Sequence, residues 1–242
     1  MASKMVKPSK AIPSGVTVIT ATNKPDFMKN LFRNFKQQHW KRKELIVILN
    51  NNQMNMDVYK RYALDVGQVS IYRLPGDAPL GECLNYGIRK AKYGYIAKFD
   101  DDDYYAPLYL SEAMRTIRRT GADIVGKRKF FMYLEGSEKL LLAVLPSHLT
   151  VAGATILFKK QLYPAMRFSR LRVGSDTRFL QDSRKQGRKN VQQALTISRR
   201  SEGPINRTIP GKSRPKPSRF CAPKLSHRPP NSVVSSAGNG NH

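Results

Sequence analysis

The chain reads as an α/β fold, a mostly parallel β-sheet flanked on both faces by helices. Short runs of β-branched and aliphatic residues alternate with stretches of helical apolar spacing through about residue 120. That alternation predicts parallel strands joined by crossover helices. Polar residues fall directly behind the apolar runs. The most conspicuous are four consecutive aspartates, Asp100, Asp101, Asp102 and Asp103, behind the apolar segment 95–99. In open α/β sheets ligands bind outside the carboxyl ends of the strands.

Residues 16–20 are β-branched throughout and read as a buried strand. Asn23-Lys24-Pro25-Asp26 predicts a helix start, with Asn as the cap, Pro in the first turn and an acid at the positive end. Met28, Leu31, Phe32 and Phe35 then share one helix face. Residues 44–49 form the second expected strand, 56–64 a short helix and 69–74 the third strand. Leu84, Ile88 and Ala91 mark a helix leading into the strand before the aspartates, and 107–119 reads as helix again. Residues 122–133 and 139–144 read as extended, joined by the turn-rich 134–138. Residues 151–158 are a further candidate strand and 176–186 a helix.

The length, 242 residues, suits one core with an appendage. The expected division is a flexible start at 1–14, a folded domain at 15–192 and a disordered basic tail at 193–242, rich in Ser, Pro, Arg and Asn. No run of about 18 apolar residues predicts a membrane span, and no apolar signal segment follows the basic start, so a cytoplasmic location is expected. Cys83 and Cys221 form no disulfide framework or metal-spacing motif, and Cys83 is expected in the core. His39, His148, His227 and His242 do not pair at metal-ligand spacing.

The chain carries 43 Lys+Arg against 17 Asp+Glu, a net charge of +26. Such a field attracts nucleic acid, anionic lipid headgroups or anionic polymers. Residues 184–242 hold 13 of the bases but one aromatic, Phe220, and so lack the stacking residues of a single-strand binder. Against this background the aspartate run is an oddity, because adjacent carboxylates repel. A hard cation, Mg²⁺ or Mn²⁺, with a bound diphosphate is one natural partner. A solvated acidic turn or a structural calcium loop are the other readings. In an extended segment Asp100 and Asp102 point to one side, Asp101 and Asp103 to the other. Lys98 either neutralises the run or a phosphate, or is a solvated strand-end lysine.

Several motifs, in order, resemble family 2 glycosyltransferases of GT-A fold. Residues 16–23, VTVITATN, resemble the opening strand and nucleotide-binding turn, and 44–50 the second strand. Residues 80–88, LGECLNYGI, followed by Ala91, are similar to the glycine–asparagine helix before the metal strand, and 96–103, IAKFDDDD, to that strand and its DxD motif. Residues 152–158, AGATILF, resemble the acceptor-side glycine–threonine strand, and 174–179, GSDTRF, the segment with the catalytic base. The resemblance implies a Rossmann-like, mixed, mostly parallel sheet and sugar transfer from a nucleotide diphosphate, metal-assisted and inverting. It puts Thr20, Thr22, Asn23, Asn50, Asn85, Asp100 and Asp101 at the donor and Asp102 at a Mn²⁺ or Mg²⁺ ion. It puts Asp176 at the base, with Lys98 and Asp103 behind. Thr20, Thr22 and Asn23 would look the same as ordinary turn and cap residues. A UDP- or dTDP-linked donor follows, and a glycan, lipid-linked or protein acceptor in cell-envelope polysaccharide synthesis. Peripheral attachment at the inner face of an anionic membrane fits the charge. The chain departs from the family pattern in three ways. Asn50 and Asn51 stand where an acid is usual, Ser175 precedes Asp176, and no late histidine is found. A basic polyanion-binding protein and an inactive GT-A scaffold are the alternative functions.

Overall fold

The structure, a computed structural model, describes residues 14–134, 139–146, 151–171 and 173–193. The expectations for 1–13, for the link 135–138 and for 194–242 lie outside the described residues. In chain order the elements are β1 (Val16–Thr22), α1 (Met28–Lys36), β2 (Lys43–Leu49), α2 (Met56–Val66) and β3 (Val69–Arg73). Then come α3 (Leu80–Lys90), β4 (Tyr95–Lys98), α4 (Tyr109–Thr120), β5 (Ile124–Lys127), β6 (Lys129–Leu134) and β7 (Lys139–Val144). The last are β8 (Leu157–Lys159), α5 (Ser175–Lys185) and β9 (Asn190–Gln193). Seven strands form one sheet in the order β3-β2-β1-β4-β8-β5-β9, while β6 and β7 pair separately as a hairpin. Within the seven-stranded sheet of the described residues only β8 runs antiparallel to its neighbours, β4 and β5. The sheet is therefore mixed and mostly parallel.

Both faces are covered, which is why the strands read as unbroken apolar runs. Leu45, Val47 and Leu49 of β2 face Leu31, Phe32 and Phe35 of α1 and the apolar sides of α2 and α4. Ile46 and Ile48 face the opposite layer, with Cys83, Leu84 and Ile88 of α3 and Phe179 and Leu180 of α5.

Four local expectations are corrected. Asn23 does not cap a helix. The Thr22 hydroxyl accepts from Lys24 N at 3.2 Å and turns the chain, and Pro25–Phe27 form a 3-10 turn before α1. Residues 122–133 are not one extended segment, because β5 ends in the main sheet at Lys127 and β6 opens the hairpin at Lys129. The strand expected at 151–158 is confined to β8, since Gly153–Thr155 make a 3-10 turn. Thr155 Oγ1 fastens that turn by accepting from Lys127 N at 2.7 Å and donating to Ala152 O at 2.8 Å. Strand β9, with the polar sequence NVQQ, was not expected at all.

Asp123 ties the far end of the sheet together. Its Oδ1 accepts from Lys159 Nζ of β8 at 3.0 Å, and its Oδ2 accepts from Lys189 N, just before β9, at 3.1 Å. Burial alone would raise this carboxyl, but the Lys159 and Lys189 hydrogen bonds outweigh it and hold it below its ordinary range. A depressed carboxyl stabilises the fold above its unfolded value of about 3.9, and that contribution is lost as the pH falls through the folded value. Asp123→Asn is expected to cost roughly 1–2 kcal/mol at pH 7. Urea titrations of both proteins should converge as the pH drops below about 3.9. A difference that persists at low pH would assign the loss to packing instead of charge.

Candidate active site

Strands β1 and β4 are adjacent and parallel, with β2 on the other side of β1. Their carboxyl ends therefore deliver Thr22, Asn50 and the aspartate run to one edge. The run itself is organised from below by α1. Asn30 Nδ2 donates to Asp101 O at 2.7 Å and Asp103 O at 2.8 Å, and Asn34 Nδ2 donates to Asp103 O at 2.7 Å. Asn34 Oδ1 accepts from Tyr105 N at 3.1 Å, and Gln38 Nε2 donates to Tyr105 O at 3.1 Å. These amides satisfy backbone groups that no strand partner reaches. Tyr105 stacks on Phe99 with ring centroids 3.7 Å apart. Its hydroxyl accepts from Asp100 N at 2.9 Å and donates to Ala154 O at 2.8 Å.

The loop is thus held by its backbone, and the carboxylates point elsewhere. The aspartates lie in a turn beyond the end of β4 and not in an extended segment, and their burial alternates. Asp101 and Asp103 are buried, while Asp100 and Asp102 are partly exposed. Asp101, only 7 % exposed, accepts from Thr22 Oγ1 at 2.6 Å. Burial pushes its carboxyl up, and the Thr22 hydrogen bond pulls it back. Asp102 Oδ2 pairs with Lys24 Nζ at 2.7 Å. Asp100 Oδ1 pairs with Lys98 Nζ at 2.6 Å, and the same nitrogen lies 3.1 Å from Asp176 Oδ2 on α5.

Lys98 is therefore no solvated strand-end residue, because its side chain is 2 % exposed. Burial alone would lower its pKa, but the Asp100 and Asp176 carboxylates outweigh it and hold it above the ordinary lysine value. The compensating charge that the sequence assigns to a divalent cation is supplied here by Lys24 and Lys98. Among the described residues no three His, Cys, Asp or Glu side chains form a metal cage. A Mg²⁺-type ion held by one or two carboxylates and completed by substrate phosphates needs no such cage. The hard oxygens of the partly exposed Asp102 fit that kind of seat.

Asp176 stands in the first turn of α5. A Cβ at Gly153 would lie 2.4–2.8 Å from Asp176 atoms, so only glycine leaves this carboxylate its place. Asp176 Oδ1 is shut from solvent and has no hydrogen-bond partner. Helix α5 is anchored by Phe179, which stacks on Phe168 at 4.3 Å and packs on Phe158 at 5.0 Å.

The other sequence candidates take varied places. Thr20 is buried in β1, and its Oγ1 has no partner. Asn23 is exposed, and its carbonyl accepts from Asn51 Nδ2 at 3.1 Å. Asn50 Nδ2 reaches Ala78 O at 3.4 Å. Asn85 is engaged by the backbone of Phe168, donating to its O at 2.8 Å and accepting from its N at 3.0 Å. Gly81 lets α3 approach that same segment, since a Cβ there would meet Ser169 O at 1.9 Å. Sequence reasoning missed Lys24, Asn30, Asn34 and Tyr105. The i, i+4 spacing of Asn30 and Asn34, two amides on one face of α1, continued by Gln38 just past the helix end, was the available signal.

The sheet order, the helices on both faces and the carboxylates at the strand ends define a GT-A fold of the glycosyltransferase type. Residues 17–142 match the glycosyl transferase family 2 profile, over half of the chain, and the chain belongs to that family. S. aureus TarS, residues 1–349, in complex with UDP-GlcNAc is similar, with a TM-score of 0.59 and 14 % identity, over 76 % of this chain and 60 % of that one. The mannosyltransferase PcManGT from Pyrobaculum calidifontis, in complex with GDP-Man and Mn²⁺, gives 0.58 at 17 % identity, over 78 % and 57 %. At such identities the likeness is one of fold. The chain spans about 60 % or less of the length of these proteins. No curated protein matches. No helix among the described residues is long and apolar enough to cross a membrane.

Lys98→Met removes the positive member of a buried triad and leaves two carboxylates facing each other. A loss of about 3–5 kcal/mol is expected at neutral pH. In the unsubstituted protein the raised lysine stabilises fully below its unfolded value of about 10.4, and that contribution fades as the pH rises through the folded value. Denaturant curves of both proteins across pH check this, the difference narrowing at the alkaline end. A pH-independent deficit would show that the charge plays no part.

Proposed function

We propose that the protein transfers a sugar from a nucleotide-diphosphate donor, UDP- or dTDP-linked, to a glycan, lipid-linked or protein acceptor, with inversion at the anomeric carbon. The carrying observation is the Asp176 carboxylate, held through Lys98 to Asp100 on the donor side, with Oδ1 left unpaired. A buried acceptor oxygen without a partner is costly, and native proteins keep such groups mainly where function uses them.

In this mechanism Thr22 and the β1 turn border the nucleotide, and Asp100 accepts hydrogen bonds from the donor sugar. The acceptor hydroxyl attacks the anomeric carbon opposite the leaving group. The carbon–oxygen bond to the diphosphate breaks, its electron pair leaves with the diphosphate, and the hydroxyl proton passes to Asp176 Oδ1. Lys98 fixes the direction of that carboxylate. A Mn²⁺ or Mg²⁺ ion held by Asp102 would stabilise charge on the departing diphosphate as a Lewis acid. Lys24, already on Asp102, is placed to bear on the same charge. Because Oδ1 is closed off, the acceptor reaches it only after the segments around Gly153 and Gly174 shift. The positive charge suits an anionic acceptor, or work at the inner face of an anionic membrane.

Thermal-shift titration with nucleotides and nucleotide sugars, with and without Mn²⁺, tests this function. A ligand at 100 times its Kd should stabilise the fold by about 2.7 kcal/mol. The metal-dependent part should vanish in Asp102→Ala. If no nucleotide stabilises the protein in either condition, the transferase proposal fails. Asp176→Asn should keep donor-dependent stabilisation and lose transfer, and unaltered turnover in that variant would remove Asp176 from the mechanism.

A further inference from the structure

Eight large hydrophobic side chains are exposed among the described residues, and six of them lie on two segments that border the site. On β7, Leu140, Leu142 and Val144 are 54 %, 49 % and 47 % exposed. Their i, i+2, i+4 spacing puts them on one face of the hairpin. In register, Phe131 stands opposite Leu142 and the exposed Lys129 opposite Val144, so both share that face. The other face is anchored at its base, where Phe130 and Ala143 pack with Ala152 and Ala154, while Leu141 on it is 41 % exposed. Through Ala154 this base reaches the hydroxyl of Tyr105, which also accepts from the Asp100 backbone. The second segment precedes α5, where Leu171 and Val173 are 51 % and 88 % exposed, a few residues before Asp176.

Topology sets both segments at the active edge. Strand β5 is antiparallel to β8, which is antiparallel to β4, so β5 runs with β4 and sends the hairpin out at the same carboxyl edge. Exposed bases are interspersed with the apolar side chains: Lys129 in the hairpin, and around the second segment Arg170 and Arg178, which pair with Glu82 at 2.9 Å and Asp182 at 3.0 Å. Outward leucines and valines flanked by lysine and arginine, on a chain of net charge +26, have the chemistry of a surface that dips into the interface of an anionic bilayer.

We infer that this rim, Leu140, Leu142, Val144, Leu171 and Val173 with Lys129, docks on an anionic lipid membrane and turns the sugar-transfer site toward it. The inference deepens the proposed function, since it implies an acceptor presented at the lipid surface.

The test uses the full chain with vesicles of phosphatidylcholine alone and of phosphatidylcholine with phosphatidylglycerol in equal parts. Binding to the anionic vesicles should exceed binding to the neutral ones at least about tenfold and weaken with salt. The double variant Leu142→Asp, Val144→Asp should lose at least about tenfold in partitioning. Nucleotide stabilisation of that variant should be unchanged. If it does not fold, Val173→Asp and Lys129→Glu give the same reading. The single tryptophan, Trp40, lies in the α1–β2 connection at the opposite edge of the sheet, so its emission should not move on binding. Three results would overturn the inference: no preference for anionic vesicles, undiminished binding by a folded variant, or a blue shift of Trp40. Loss of a dimer in the double variant would assign the face to a second copy and equally overturn it. Absence of nucleotide stabilisation in the parent protein strikes the transferase function and leaves the vesicle result standing.

Discussion

The ammonium group of Lys98 is the point on which the site is assembled. Taking a lysine out of water costs several kcal/mol unless opposite charges surround it closely. Here one carboxylate comes from the end of its own strand and the other from α5, more than seventy residues later. The lysine is satisfied only when both arrive. The bridge thereby couples the donor-side loop to the helix bearing the proposed base. Its contribution is one of geometry more than of net stability, because buried ion pairs often do no better than apolar replacements.

Around that bridge the tasks are divided. The aspartate loop is held in shape by amides of α1 and by Tyr105, all acting on its backbone. Side-chain carboxylates are therefore not consumed in making the turn. Asp101 and Asp103 are turned inward, Asp101 onto the Thr22 hydroxyl. Asp100 and Asp102 each face a lysine. Glycines complete the arrangement by omission. At Gly81 and Gly153 the missing Cβ is the space into which the α5 segment fits.

Much of this was legible in the chain before folding. Strands buried on two faces leave unbroken β-branched runs, and β1 and β2 were read that way. The aspartates announced themselves by contrast with a basic background. What stayed hidden depends on distant partners. Nothing local distinguishes a lysine destined for burial, and Lys98 could be read two ways because its second carboxylate is remote. Asn30 and Asn34 sit in a helix whose apolar face drew the attention. Strand β9 is polar, so only its pairing with β5 reveals it. Gly-Ala-Thr at 153–155 looked extended because β-branched residues follow it, yet the Thr155 hydroxyl curls it into a turn.

Strand β8 is three residues long and antiparallel, but among the described residues it is the only strand joining β4 to β5. Without it the sheet is two separate ribbons. The first ribbon is complete once residue 98 has been made, and the second needs residues up to 193. Closure must therefore wait for a late segment to slot into a gap already bounded on one side. The turn just before it carries Gly153, against which Asp176 rests, so closing the sheet also seats Asp176. A nascent chain released before that insertion would hold the β1 turn and the aspartates without Asp176 beside them, a half-built sheet with an open seam.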